Sequence, residues 1–325
     1  MKILIVLPNW LGDAVMTTPA IELIAQHYPS AKFTFVGSYV SIEALKYHPQ
    51  CEKAIVDRTK EATNRFIATY KFAKELGQFN FAITFRNQFY SSLLLKFTNT
   101  VISLAKSSWH SRFLLSHTPK ISSKQHLVKQ YVELAMINEN NFTQDIPNLS
   151  LHIKATQFHK PMLGINAGAT YGSAKRWYPE KFAGVASLYS DKFDIIIFGG
   201  PSEVDMAQEI EENLKMQGIS NYINLAGKTT IMELCSKIGG CSLFITNDSG
   251  PMHIAAAYQV PTVSIFGPTK DKETSQWNNA KSKVVKHDIS CAPCMKRECP
   301  LGHHKCMKNI TIDDVSHAID DLSIF

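Results

Sequence analysis

Residues 244–269, FITNDSGPMHIAAAYQVPTVSIFGPT, constrain the fold of this chain more than any other stretch. An apolar run ends at the sequence NDSG, and a short helix-compatible segment of small residues follows it. A second apolar run, residues 262–266, then stops at a Gly-Pro pair. This order predicts a strand, a tight turn, a helix and a second strand, which together make one crossover unit of a parallel sheet.

The turn inside this unit has two interpretations. Asp248 and Ser249 can accept hydrogen bonds from the first N–H groups of the helix, and would then simply cap it. Alternatively, the remaining N–H groups and the helix dipole make the helix start an anion site. The turn alone favours the cap, because such caps are common. Only other parts of the chain can favour the anion site.

Length and composition narrow the class of protein. A chain of 325 residues is too long for one small core and predicts two domains. With 45% hydrophobic and 19% charged residues it is an ordinary globular chain, not a disordered or fibrous one. Its apolar runs are too short for a membrane span or a signal peptide, so we expect a cytoplasmic protein. Seven cysteines without an export signal argue against a disulfide framework.

Positive charge is concentrated in the first half. Residues 1–155 carry 17 Lys and Arg against 10 Asp and Glu, whereas the remainder carries 17 against 18. No acidic residue occurs between Glu75 and Glu133. The basic residues within this acid-free stretch are Arg86, Lys96, Lys106, Arg112, Lys120, Lys124 and Lys129. Such a field favours an anionic partner, and the alternative is a solvated basic face.

Strand-length apolar runs alternate with helical patterns along both halves. Strands are expected at residues 2–7, 33–36, 54–56, 81–85, 101–104, 162–165, 193–198, 223–225, 243–246 and 262–266. Helices are expected up to residue 26, from residue 179, and over 41–46, 64–76, 126–137, 203–216 and 231–238. The polar segment 138–157 is interpreted as a linker. We therefore expect an α/β protein with two Rossmann-like doubly wound domains, residues 1–150 and 151–325, facing a central cleft.

Two familiar phosphate-binding signatures are incomplete. The first strand is followed by PNWLGD instead of G-x-G-x-x-G, which disfavours a dinucleotide oxidoreductase. Residues 226–229, AGKT, resemble the end of a P-loop, but the first glycine of that motif would fall on Tyr222. A nucleotide would therefore have to be bound by other means.

Three stretches together resemble the bacterial heptosyltransferases of glycosyltransferase family nine. They are PNWLGDAVMTTPA near the start, NAGATYGSAKRWYPEKFA after the linker, and NDSGPMHIAAA with the following FGPT. They span both halves in the family's order. The late segment CAPCMKRECPLGHHKCM is most similar to the heptosyltransferase II branch.

The resemblance implies a GT-B fold, with the acceptor bound by the first domain and ADP-heptose by the second. It implies inverting transfer of heptose onto the heptosyl-Kdo-lipid A inner core of lipopolysaccharide or lipooligosaccharide, at the cytoplasmic face of the inner membrane. The expected partners are ADP-heptose, the anionic lipid A-inner core acceptor and the membrane surface, and no nucleic acid is expected. Alternatives are transfer to another core position, a UDP-sugar transferase or epimerase, and a nucleotide-sugar-binding protein without activity.

The resemblance also assigns catalytic roles. Asp13 follows the first strand, where a carboxylate can take the proton of an acceptor hydroxyl, and a helix cap is the alternative. Lys175 is expected to neutralise the leaving diphosphate, and the neighbouring Arg176 could substitute for it. The implied donor-binding residues are Gly12, Gly168, Ala169, Thr170, Lys175, Glu203, Asp248, Ser249, Gly250 and His253.

The acceptor-binding residues are expected within the acid-free stretch. Arg86, Arg112, Lys120 and Lys124 are the proposed contacts, because guanidinium and ammonium groups attract the carboxylates and phosphates of an inner-core acceptor. Lys106 is expected to assist in acceptor or membrane capture.

The spacing Cys291-x2-Cys294-x4-Cys299-x6-Cys306, with two histidines inside it, is typical of a structural zinc site. A reduced and packed loop is the alternative. No cluster of metal-binding carboxylates is visible in the sequence, so catalysis is expected to require no cofactor.

Overall fold

The computed structural model describes residues 1–137 and 145–324. The chain divides into two compact units, Met1–His152 and Ile153–Phe325, and this division lies two residues beyond the expected boundary. Part of the expected linker, residues 138–144, lies outside the described residues. Its described part, residues 145–157, contains no helix or strand.

Unit 1 is a five-stranded parallel sheet with helices between the strands. Its elements are β1 (Lys2–Val6), α1 (Leu11–Met16), α2 (Thr18–His27), β2 (Lys32–Gly37), α3 (Tyr39–Leu45), β3 (Cys51–Val56), α4 (Arg65–Leu76), β4 (Phe81–Thr84), α5 (Phe89–Phe97), β5 (Ile102–Ala105), α6 (Trp109–Leu114) and α7 (Leu127–Ala135). The strand order is β3-β2-β1-β4-β5. Strand β1 is central in the sheet, between β2 and β4, and its apolar run is fully buried, as is usual where helices cover both faces of a parallel sheet.

The single helix expected up to residue 26 is wrong, because α1 ends at Met16 and α2 begins at Thr18. The hydroxyl of Thr17 donates to the Ala14 carbonyl at 2.6 Å. Pro19 follows at the start of α2, where its missing N–H costs no hydrogen bond. The expectations for unit 1 also left out α5 and α6.

Unit 2 is a six-stranded parallel sheet. Its elements are β6 (Met162–Asn166), α8 (Pro179–Leu188), β7 (Asp194–Phe198), α9 (Val204–Met216), β8 (Tyr222–Asn224), α10 (Ile231–Gly239), β9 (Leu243–Asn247), α11 (Gly250–Ala257), β10 (Thr262–Ile265), α12 (Asp271–Thr274), β11 (Ser282–Val285), α13 (Lys305–Lys308) and α14 (Ile312–Asp320). The strand order is β11-β10-β9-β6-β7-β8. The parallel pairing of β9 with β10 around α11 confirms the crossover predicted for residues 244–269.

Each sheet reverses its strand order at one place. In unit 1 the reversal falls between β1 and β4, and in unit 2 it falls between β6 and β9. The loops that leave two such neighbouring strands run to opposite faces, so a crevice opens at the strands' carboxyl ends, where ligands of this fold class bind. The expected class, an α/β protein with two Rossmann-like parallel sheets, is confirmed.

Across the described ranges, the longest helix is α9 with 13 residues. No helix there combines the length and the apolar character needed to cross a bilayer.

Candidate active site

In unit 2, two buried asparagine side chains fix the loops at the reversal point. Asn247, the last residue of β9, donates to the Ala167 carbonyl at 2.5 Å and accepts the Trp177 N–H at 3.1 Å. Asn166, the last residue of β6, donates to the Gly168 carbonyl at 3.2 Å. The loop after β6 and the turn after β9 are thereby held together, which places the expected donor-binding segments side by side.

A lysine and an aspartate form the charged centre of this site. Lys175 Nζ lies 2.5 Å from Asp248 Oδ2, and the two side chains are 13% and 4% exposed. Thr269 Oγ1 donates to the same carboxylate oxygen at 2.6 Å. The Tyr171 ring lies under the ammonium, with its centroid 4.7 Å from Nζ. The cation is therefore held in one position by a buried partner before any anion arrives.

The helix start beside this pair is not capped by the expected side chains. Ser249 is the N-cap residue of α11, but its side chain makes no capping hydrogen bond. Its hydroxyl lies 3.2 Å from Thr246 Oγ1 instead. Asp248 binds Lys175. The cap interpretation of these two residues is therefore wrong. Pro251 has no N–H, and the Met252 N–H donates to the Ser249 carbonyl at 3.1 Å, so the Gly250 N–H is the donor at this helix start that can serve an anion.

Glu203 reaches the same loop from the end of β7. It is 9% exposed and accepts the Gly200 N–H at 2.8 Å. A Cβ placed on Gly168 would lie 1.9 Å from Glu203 Cδ, so only glycine allows the loop after β6 to approach this carboxylate. Glu203 therefore packs directly against the loop after β6, beside other residues expected to bind the donor.

The remaining expected donor residues lie at the same end of the sheet. Ala169 is buried and Thr170 is exposed in the loop after β6. Gly250 and the buried His253 belong to the first turn of α11. Arg176 Nε points back to the Ala169 carbonyl at 3.4 Å and so supports the loop.

In unit 1, Asp13 and Gly12 lie just beyond β1, at that sheet's reversal point. Asp13 is the third residue of α1, and the N-cap residue is Trp10, so Asp13 is not the cap. Burial, and then the nearby Asp13 charge, raise the pKa of the Tyr131 hydroxyl well above its usual value. Asp13 and Tyr131 are therefore electrostatic neighbours.

Arg86 has a different partner from the expected acceptor carboxylate. Its side chain is buried, and Nη1 lies 2.9 Å from Asp57 Oδ2. Nε donates to the Leu7 carbonyl at 2.5 Å. Burial acts to raise the Asp57 pKa, but hydrogen bonds from Thr59 and the Arg86 charge outweigh it, so the net pKa lies below the usual range. This pair joins the ends of three strands.

The other expected acceptor residues are at the surface. Arg112, Lys120 and Lys124 are exposed. Arg112 Nε donates to Ser107 Oγ at 2.9 Å, and Lys106 donates to Gln130 Oε1 at 2.9 Å. Within residues 1–137 and 145–324, none of these four cations forms an ion pair.

The cysteine segment lines one cavity in unit 2. The lining includes Cys291, Cys294, Cys299, His303, His304 and Cys306. In the described chain these residues do not bring three ligand atoms within 4.8 Å of one another, and the cysteines form no disulfide. Both ring nitrogens of His304 are engaged, with Tyr178 Oη at 3.1 Å and the Ala174 carbonyl at 2.9 Å. The expected zinc site is therefore not supported by this geometry.

Sequence reasoning missed several residues that shape the site. Asn166, Asn247 and Thr269 act through buried hydrogen bonds, and nothing in their sequence context distinguishes them from ordinary strand-end residues. Arg297 accepts the Ala174 N–H at 3.0 Å through its carbonyl, next to Lys175. The cysteine segment is thus packed directly against the loop that carries the cation.

Each unit is a Rossmann-like parallel sheet. At the reversal point of the second sheet lie a lysine paired with a buried carboxylate and a helix start without a side-chain cap. This is the architecture of a GT-B-type α/β protein. Residues 69–305 match Glycosyltransferase family 9 (heptosyltransferase). A lipooligosaccharide heptosyltransferase 2 of Campylobacter jejuni is 40% identical over 97% of this chain and 96% of the relative. The chain therefore belongs to glycosyltransferase family 9, and the expected family is confirmed.

Solved structures agree on the fold. The structure of E. coli ADP-heptose lps heptosyltransferase II matches with a TM-score of 0.83 at 24% identity, covering 99% of this chain and 98% of that one. E. coli heptosyltransferase WaaC with ADP matches with a TM-score of 0.79 at 18% identity, covering 99% and 100%.

Proposed function

We propose that this enzyme transfers heptose from ADP-heptose onto the heptosyl-Kdo-lipid A inner core of lipopolysaccharide or lipooligosaccharide. The observation that carries the proposal is the Lys175–Asp248 pair beside the uncapped start of α11, in a chain of the heptosyltransferase family. A diphosphate leaving group develops negative charge, and a positioned cation with helix N–H donors stabilises that charge. The name of the Campylobacter jejuni relative supports the sugar and the acceptor class.

Unit 2 is proposed to hold the donor. Lys175 and the Gly250 N–H at the start of α11 bind the diphosphate, with Thr170 and Ser249 as neutral donors beside them. Glu203 accepts the ribose hydroxyls, as carboxylates do in related folds. Asp248 keeps Lys175 in place.

Unit 1 is proposed to hold the acceptor and the base. Asp13 takes the proton of the acceptor hydroxyl while that oxygen forms a bond to the anomeric carbon. The bond from this carbon to the diphosphate oxygen breaks, and ADP leaves with the electron pair. One displacement inverts the anomeric configuration.

The acceptor is anionic and lipid-anchored, which gives the exposed cations of unit 1 a role. Lys106, Arg112, Lys120 and Lys124 are proposed to attract it through their summed field, at the cytoplasmic face of the inner membrane. Arg86 supports the strand ends through Asp57. Its Nη2 atom is buried and has no hydrogen-bond partner among the described residues, and we propose that an acceptor group contacts Arg86 only by reaching this atom.

Zinc binding by Cys291, Cys294, Cys299 and Cys306 stays a prediction. The transfer assigned above has no step that involves a metal.

The test is turnover of ADP-heptose with two truncated acceptors, Kdo-lipid A with and without one heptose. We expect transfer to the heptosylated acceptor only. Transfer to the heptose-free acceptor would assign another core position. Thermal shifts with ADP, UDP and GDP form a second arm, and stabilisation by UDP alone would contradict an ADP-sugar donor.

A further inference from the structure

Helix α6 presents two large aromatic side chains to solvent. Trp109 is 72% exposed and Phe113 is 84% exposed. They are four residues apart, so they lie on the same side of the helix. Phe89, at the start of α5, stacks beside Trp109 with ring centroids 6.2 Å apart and an interplanar angle of 15°. We call Phe89, Trp109 and Phe113 the aromatic face.

Polar contacts on the opposite side hold α6 in this orientation. Ser108 and Ser111 cap the helix reciprocally: the Ser111 N–H donates to Ser108 Oγ at 3.1 Å, and the Ser108 N–H donates to Ser111 Oγ at 2.8 Å. His110 is buried, and its Nδ1 lies 3.2 Å from Ser92 Oγ. The helix cannot turn its aromatic side chains inward without breaking these bonds. Phe113 therefore gains almost no burial on folding, and an exposed aromatic group of this kind indicates a binding surface.

The chain segment that carries the aromatic face has basic but no acidic side chains. Arg112 lies on α6 between the two aromatic residues in sequence, and its guanidinium is exposed. Lys96 and Lys120, before and after α6, are also exposed, and residues 76–132 contain no Asp or Glu. Tryptophan and phenylalanine next to lysine and arginine are the composition of surfaces that lie in the headgroup region of a membrane.

We propose that the aromatic face inserts into the headgroup region of an anionic lipid bilayer, with Arg112 and the neighbouring lysines against the lipid phosphates. This inference deepens the proposed function and rests on it for the lipid anchor of the acceptor. A bilayer fits better than a second copy of the chain, because two copies of a segment that carries Arg112 and lysines but no acidic residue repel each other. Three aromatic side chains are also too few for a stable protein interface, which buries about 800 Å² on each partner.

The experiment measures co-sedimentation of the full chain with vesicles of phosphatidylglycerol and phosphatidylethanolamine, and with phosphatidylcholine vesicles. We expect binding to the anionic vesicles, and a loss of about tenfold or more in the Trp109→Ala/Phe113→Ala variant. Met216→Ala is the matched control, because Met216 is 77% exposed but lies in unit 2. Binding should weaken in 0.5 M salt without vanishing, since salt screens the charges but not apolar insertion.

Insertion itself is read from tryptophan quenching by brominated acyl chains. Trp109→Phe should keep most of the binding but lose the quenching. Quenching that persists in this variant, or vesicle binding unchanged in the double variant, overturns the proposal. A dimer that the double variant dissociates in sedimentation velocity also overturns it, because the face would then bind a second copy.

A deacylated, water-soluble acceptor separates this inference from the proposed function. The double variant should turn it over normally and should be slow only with acylated acceptor in vesicles. Slow turnover of both acceptors would make the face a sugar site and overturn membrane insertion. Failure of the unmodified chain to use the soluble acceptor would contradict the proposed function, whatever the vesicle result.

Discussion

Gly168 and Glu203 are packed so closely that no side chain fits between them. A Cβ on residue 168 would lie 1.9 Å from Glu203 Cδ and about as close to both carboxylate oxygens, at 2.1 and 2.2 Å. The carboxylate also accepts the Gly200 N–H at 2.8 Å, so it cannot move aside without losing that bond. The glycine after β6 and the glutamate after β7 are therefore parts of one site.

The substitution Gly168→Ala should displace Glu203 and lower ADP affinity by about tenfold or more. Overpacking of this kind costs about 1–3 kcal/mol in free energy of unfolding, so the variant should still fold. Gly200→Ala is the matched control, because its Cβ would meet Glu203 at an ordinary 3.7 Å. Calorimetric titration with ADP measures both. Equal ADP affinity in Gly168→Ala and in the unmodified chain would remove Glu203 from the donor site.

Lys175→Ala should weaken ADP binding and slow transfer by about 10² or more, since the developing diphosphate charge loses its cation. Asp248→Ala should weaken ADP binding and also lower the melting temperature, because Lys175 and Thr269 lose the buried carboxylate that they share. Lys228→Ala serves as the control: this lysine is exposed, donates to the Asn224 carbonyl at 3.0 Å, and belongs to the incomplete P-loop. Unchanged ADP affinity in both site variants would move the donor site elsewhere.

The sequence predicted the buried strands well and the polar pairing poorly. Runs such as residues 162–165 and 262–266 were located to within a residue, because central parallel strands are continuous in apolar side chains. The partner of Asp248 could not be predicted, since Lys175 lies 73 residues away and only the sheet order brings them together. The partner of Arg86 could not be predicted for the same reason, because Asp57 is 29 residues distant. Helix α6 was missed because six residues give too short a pattern.

Asp13→Asn should keep the fold and ADP-heptose affinity while lowering turnover by about 10² or more, as expected for loss of a general base. Donor affinity and transfer rate should be measured on the same preparation. The amide keeps the shape of the carboxylate, so a change in packing would not explain the loss. Near-normal turnover would leave Asp13 without a catalytic role.

The Asp57–Arg86 pair should stabilise unit 1 at neutral pH and lose that contribution in acid. The Asp57 pKa in the folded chain lies below its unfolded value of about 3.9. Its contribution is therefore fully present above about pH 4 and is lost as the pH falls through the folded pKa. Arg86→Ala should cost about 3–5 kcal/mol at pH 7, because it leaves a buried carboxylate unpaired.

A double-mutant cycle checks this assignment. Asp57→Ala/Arg86→Ala should be less destabilised than the sum of the two single variants, and the coupling should shrink between pH 5 and pH 3. Urea unfolding provides the free energies. An Arg86→Ala variant of normal stability, with a raised acceptor KM, would support direct acceptor binding instead.

The last prediction concerns the cysteine cavity, where zinc binding and metal-free packing of the loop can be distinguished by measurement. A bound zinc ion requires ligand atoms about 3.3–3.8 Å apart for tetrahedral coordination at usual bond lengths, and Cys291 Sγ lies 4.0 Å from His303 Nε2. If the segment moves to bind zinc, elemental analysis should find about one equivalent, and chelation should lower the melting temperature. Because Arg297 accepts the Ala174 N–H beside Lys175, chelation should also weaken ADP binding.

The control for this prediction is a cysteine outside the cavity. Cys294→Ser/Cys299→Ser is compared with Cys51→Ser, which alters a half-buried cysteine of unit 1. A metal-free preparation with full stability and ADP affinity would establish a reduced, packed loop, and in that case the double variant should bind ADP as the Cys51→Ser control does.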